Sequence, residues 1–327
     1  MAVATFSQID EYGFERPTTF DYKTYEDFMS KYLRILARRS KRWEELKESE
    51  KTRRTNILKR FVRKGIPITR RPIVWMSISG GQQAREQSNY TYLQLKERIS
   101  NASINETIEI DLPRTFPDNI YFTKENILPR QLFNILSTFA HQNNDVGYCQ
   151  GLNYIAGLLI LATKSEEYSF WLLKVLVENI LPKYYIKSMS GLLTDLAVLD
   201  ELVEINEPIL HRHIKAIGMP WAVTTTKWFI CIYSEVLPIE TVLRIWDCIF
   251  YEGSKIIFRV ALTLIKMHKA EILECKDLAD IVTCFKSMAH NPKVIDCHYF
   301  MSRIFKLPGR LSNKQLEELR NKHALAK

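Results

Sequence analysis

Residues 144–163 read NDVGYCQGLNYIAGLLILAT. The first half is polar and sets Gly147 and Gly151 around Gln150, whereas Ile155 to Ala162 carries no polar side chain. Asn144 or Asp145 is a suitable N-cap, so the spacing predicts a helix over 146–162 that becomes wholly apolar from Ile155, with Gln150 in its early turns. Glycines in those turns weaken a helix by about 1 kcal/mol each relative to Ala. They point either to something approaching the backbone closely or to helix-on-helix packing at Gly147 and Gly151, with Gln150 hydrogen-bonded to a neighbouring backbone. The apolar run is far short of the ~20 residues that span a bilayer, so it reads as a core helix.

Outward from this stretch the helical period recurs. Further helices are expected over 125–141, 166–181, 192–214, 221–235, 239–251, 254–270 and 277–288. Leu192, Leu196, Leu199, Leu202, Val203, Ile209 and Leu210 form an apolar stripe on one of them, and Ile239, Val242, Leu243, Trp246, Ile249 and Phe250 on another. Toward the N-terminus, helices are expected from Thr24 to about Glu50, from Arg53 to Lys64 with Gly65 as C-cap, and from Ala84 to Ile99. Residues 66–81 fit a short helix or an irregular connection, 104–110 alternate like a strand, and 1–23 read as an irregular arm. The 11 Gly and 12 Pro are few for 327 residues, which argues against a turn-rich β fold. No 20–50-residue period signals a solenoid, and an irregular all-α bundle is the architecture these patterns favour.

Composition narrows the function. The N-terminus lacks a signal peptide or myristoylation pattern, so the chain is expected in the cytoplasm. Six cysteines without a C-x-x-C pair indicate neither a disulfide framework nor a zinc site, and His211 and His213 point to different helix faces. No metal site is expected. Nucleotide-cradling G-x-x-x-x-G-K-[ST] and G-x-G-x-x-G motifs and a G-x-S-x-G elbow are all absent. The net charge of +9 is concentrated between Lys31 and Arg71, a segment of +12 that leaves the remainder at −3. Without a stacking groove or nucleic-acid motif, that segment reads as solvated helix faces or as a weak contact with anionic membrane, and no nucleic acid is expected as a partner.

Two constellations can carry chemistry. In IEIDLPRTFP, residues 108–117, Arg114 stands between Pro113 and Pro117, which restrict the backbone on both sides, and Asp111 is placed to orient its guanidinium. The alternative is an Asp111–Arg114 pair that merely ties down a surface loop. The second is the Gln150 stretch. Taken in order, Arg71-x-x-x-Trp75, Ile108-x-x-Asp111-x-x-Arg114, Tyr148-x-Gln150, Trp246-Asp247 and Glu252-Gly253 resemble the signature of the TBC domain, the family of Rab GTPase-activating proteins, over about 190 residues.

The resemblance implies an all-α, two-lobed, V-shaped domain over 63–310, with an N-lobe to about 186 and a C-lobe from about 187. Residues 1–62 would form a basic N-terminal helical extension and 311–327 a C-terminal tail. It also implies a catalytic arginine finger, Arg114, and a glutamine finger, Gln150, on the N-lobe. Asp111, Tyr148, Thr115, Gly147 and Gly151 would support the fingers, while Arg71, Trp75, Trp246, Asp247 and Gly253 would be structural. The implied partner is a GTP-bound Rab in vesicle trafficking, met in the cytoplasm or peripherally on endomembranes. That Rab would carry the GTP and Mg2+, so the chain needs no cofactor of its own. A catalytically silent Rab-binding or trafficking scaffold of the same fold is the alternative.

Overall fold

The apolar positions of this chain recur at helical spacing, and the structure buries them in helix-to-helix contacts. The computed structural model describes residues 8–16, 18, 20–47, 50–51, 54–98 and 102–324. The outer ends of the expected arm and tail, and Arg53 and Ile99, lie outside them; the helix expected from Thr24 to about Glu50 ends earlier, at Glu45, where Leu46 turns extended (φ −71°, ψ 130°). Every named element among the described residues is helical; β pairing there is limited to two isolated bridges, Ile9 with Glu15 and Phe14 with Asn119. The chain divides into two compact units, one of residues 1–61 and 66–174, the other of 62–65 and 175–327.

The first unit contains α1 (Tyr22–Glu45), most of α2 (Asn56–Lys64), α3 (Arg71–Ser79), α4 (Gly81–Gln87), α5 (Tyr92–Lys96), α6 (Ala102–Asp111), α7 (Leu128–Gln142), α8 (Leu152–Thr163) and α9 (Glu166–Val175) but for its last residue. Helix α8 is its centre: Leu152, Asn153 and every residue from Ile155 to Thr163 are buried, against α3 and α7. This is the helix whose all-round apolarity the sequence shows. Residues from the arm join this core, Tyr12 being buried and Asn119 donating to its carbonyl at 3.0 Å.

Residues 104–110 form part of α6 rather than a strand. Ile104 and Ile108 stand four apart on one helical face, and Ile108 is fully buried, whereas Ile110, which completes the apparent alternation, is 70% exposed. The second unit is built on α10 (Ser190–Asn206), α11 (Pro208–Ile217), α12 (Trp221–Ile230), α13 (Ile239–Glu252), α14 (Lys255–Met267), α15 (Lys269–Glu274), α16 (Leu278–Ser287), α17 (Pro292–Ile295), α18 (Cys297–Ile304) and α19 (Asn313–His323). The single helix expected over 192–214 is two, because Pro208 offers no N–H and turns Glu207 out of helical geometry (φ −140°, ψ 63°). Helices α13 and α14 are buried almost throughout and pack on each other and on α18. Among the described residues no helix is long and apolar enough to cross a membrane.

Candidate functional site

Arg114 ends a 3-10 turn, Leu112–Arg114, that continues α6 after Asp111. Two residues on, Phe116 takes a positive φ of 51°, a costly conformation for a side chain of its size. Pro117 disfavours the helical alternative at Phe116. The conformation is held by packing: the Phe116 ring meets Phe14, Phe122 and Tyr154 edge-on at 5.2–5.6 Å. A Cβ at Gly157 of α8 would lie only 3.0 Å from the same ring. The loop is therefore clamped just beyond Arg114.

The guanidinium is split between a buried anchor and solvent. Arg114 Nη2 donates to Asp111 Oδ1, and the carboxylate side chain is 3% exposed while that of Arg114 is 49% exposed. Tyr148 Oη donates to the other oxygen, Asp111 Oδ2, at 2.5 Å. Burial and the adjacent carboxylate push the Tyr148 phenol up, which keeps it a proton donor across the neutral range. The Arg114–Asp111 pair that the sequence allows thus exists, and it holds one edge of the guanidinium while the rest faces outward.

Gln150 does not sit in the first turns of a helix. Asn143, rather than Asn144 or Asp145, reverses the chain after α7, accepting from Gly147 N–H through its carbonyl at 2.7 Å and from Val146 N–H through its side chain at 3.2 Å. Residues 147–150 are irregular, and α8 begins at Leu152 with Gly151 in the N-cap place. Gly147 and Gly151 have φ of +57° and +108°, so both serve backbone angles that other residues resist. Neither close approach nor helix packing explains Gly147, whose added Cβ would meet nothing nearer than 3.9 Å. The Gln150 side chain is exposed and makes no hydrogen bond among the described residues.

A residue without a role in the sequence reading joins the two loops. Asn153, fully buried in the first turn of α8, accepts from Gly151 N–H at 3.0 Å and donates to Thr115 Oγ1 at 2.8 Å. Thr115 Oγ1 in turn donates to the Asp111 carbonyl at 2.8 Å. Its signal in the sequence is a lone amide at the edge of an apolar helix, where only a buried polar partner justifies it. Asp111, Arg114, Thr115, Tyr148, Gly147, Gln150 and Gly151 are thereby assembled in one place.

The remaining positions are elsewhere. Arg71, buried at the start of α3, donates to Tyr12 Oη at 3.1 Å, and Trp75 on the same helix is fully buried. In the second unit, Trp246 Nε1 donates to the Ile232 carbonyl at 3.0 Å, Asp247 is buried on α13, and Gly253 (φ +81°) stops that helix.

The sequence model described as the Rab-GTPase-TBC domain matches residues 69–273. Growth hormone-regulated TBC protein 1-A of Danio rerio is 48% identical over 317 residues, 96% of this chain and 89% of that protein. Growth hormone-regulated TBC protein 1 of Homo sapiens is 48% identical over 315 residues, 96% of this chain and 94% of that protein. Among solved structures, the Chlamydomonas flagellar RabGAP TBC domain superposes with a TM-score of 0.79 at 31% identity, covering 91% of this chain and 99% of that one.

Proposed function

This chain belongs to the Rab-GTPase-TBC domain family, and from that membership we propose that it is a GTPase-activating protein for a Rab-family small GTPase. Arg114 and Gln150 act as its arginine and glutamine fingers. The observation that carries this reading is their shared mounting. An outward-facing guanidinium anchored on a buried carboxylate is linked through Thr115, Asn153 and Gly151 to an exposed, uncommitted carboxamide.

Phosphoryl transfer asks little covalent chemistry of the protein, so catalysis rests on positioning and on stabilising charge. GTP and its Mg2+ belong to the partner GTPase. Arg114 supplies N–H donors to the phosphoryl oxygens on which charge develops, and stays charged throughout. The Gln150 carboxamide, which both accepts and donates, orients the attacking water. Tyr148 and Asp111 fix the guanidinium before docking, which removes part of the ordering cost at the moment of reaction. The protein would work in vesicle trafficking, from the cytoplasm and at the endomembrane surface where its Rab resides.

Single-turnover GTP hydrolysis across a panel of purified Rabs tests the proposal. One Rab or a small set should be accelerated strongly. Arg114→Ala and Arg114→Lys should lose roughly 10³-fold or more, the scale of an arginine finger, and Gln150→Ala should be severely reduced with the fold intact. Wild-type rates in the Arg114 variants would make the finger assignment wrong, and binding without acceleration by the unaltered chain would leave the silent Rab-binding scaffold as the function.

A further inference from the structure

Helix α1 is held to the first unit by one face. Trp43 is fully buried with its ring edge-on to Phe61 at 5.6 Å, Tyr32 is buried, and the buried Arg39 donates to Tyr32 Oη at 3.3 Å. The opposite face carries Lys31, Arg34, Arg38, Lys41 and Arg42, all exposed. At about 100° per residue these five fall within an arc of roughly 100°, and at 1.5 Å per residue they extend over about 16 Å.

No carboxylate among the described residues neutralises this row; the one hydrogen bond it makes runs from Arg38 Nε to the Arg34 carbonyl at 3.3 Å. Acidic residues near it stand at its ends, Asp27 one turn before Lys31, and Glu44 and Glu45 in the last turn, where Glu44 accepts from Ser40. Like charges three and four apart repel along a helix. An arrangement that weakens its own helix gains stability only when an anionic surface meets it.

We propose that this face of α1 docks on an anionic lipid bilayer. The row is straight and convex, which fits a plane of headgroups rather than a groove-bound strand. Aromatic rings for stacking bases are absent from the row: the rings at its N-terminal side, Phe20, Tyr22, Tyr25, Phe28 and Tyr32, are engaged with one another. Because α1 lies in the same compact unit as Arg114 and Gln150, lipid contact sets that unit's attitude to the membrane.

Vesicle co-sedimentation of the full chain tests this without reference to GTP hydrolysis. Vesicles of phosphatidylcholine with phosphatidylserine should bind the protein, pure phosphatidylcholine should not, and binding should vanish toward 1 M salt, where the Debye length is about 3 Å. Arg34→Gln/Arg38→Gln/Lys41→Gln should lower partitioning by about fivefold per cation, roughly 100-fold together, and the corresponding triple Glu variant further. Both variants should stay folded with a thermal midpoint at or above the wild type, since none of the three side chains is buried and repulsion along the helix is relieved. Equal binding to neutral vesicles, unchanged partitioning of the folded variants, or tighter binding to an oligonucleotide duplex than to anionic vesicles would overturn the proposal.

Discussion

Replacing Asn153 by Ala is the sharpest probe of how the two fingers are held. The amide is fully buried and makes two hydrogen bonds, from Gly151 N–H at 3.0 Å and to Thr115 Oγ1 at 2.8 Å. Truncation leaves the Gly151 N–H in a dry site without an acceptor, which costs about 1–3 kcal/mol. Loss of the second bond and a small void add about 1 kcal/mol. A destabilisation of about 2–4 kcal/mol is expected, read as a lower urea midpoint. The catalytic effect follows from the same geometry. The turn that carries Gln150 loses its tie to the loop that carries Arg114, and a displacement of about 1 Å at a reacting group costs on the order of 10²-fold.

A double-mutant cycle separates the tie from general loosening. Thr115→Val removes the acceptor for Asn153 but leaves Gly151 N–H paired, so the two changes share one bond. Their coupling should lie in the range of about 0.5–3 kcal/mol in stability, with a matching non-additivity in stimulated hydrolysis. Additive effects in both assays, or an Asn153→Ala protein with the wild-type urea midpoint and rate, would refute the reasoning.

Gly151→Ala should lower the thermal midpoint by the equivalent of about 1–3 kcal/mol and impair activation, because φ of +108° is strained for any L side chain. Gly157→Val should cost about 1–3 kcal/mol in urea denaturation, since its Cβ alone would lie 3.0 Å from Phe116 and 3.2 Å from Thr115, both next to Arg114. Burial raises the Cys149 thiol above its ordinary value, so the folded state disfavours the thiolate. Iodoacetamide should therefore label native Cys149 more slowly than the urea-unfolded chain, with the rate rising with pH. The linked stabilisation is present below the unfolded thiol's pKa and is lost as pH climbs through the higher folded one.

What the sequence shows and what it hides divide along the range of the interactions concerned. Helix α8 is legible because Ile155 to Ala162 is apolar on all sides, a property of adjacent residues. The strand expected over 104–110 fails because Ile104 and Ile108 satisfy the alternation and the helical spacing equally, Ile110 fits only the alternation, and the burial of Ile108 beside an exposed Ile110 decides for the helix. Arg114 and Gln150 stand out through their prolines and glycines, which mark irregular backbone, yet the reason for those residues is visible only in the fold. Gly147 and Gly151 set backbone angles in a turn that precedes the helix, so Gln150 projects from a loop rather than from a helical turn. Asn153 is hidden for a different reason. Its bond to Thr115 joins positions 38 apart, and no periodicity within one helix reports a partner on another segment. A buried amide in an apolar helix does announce that such a partner exists, and here the partner lies beside the one arginine whose position the proposed chemistry requires.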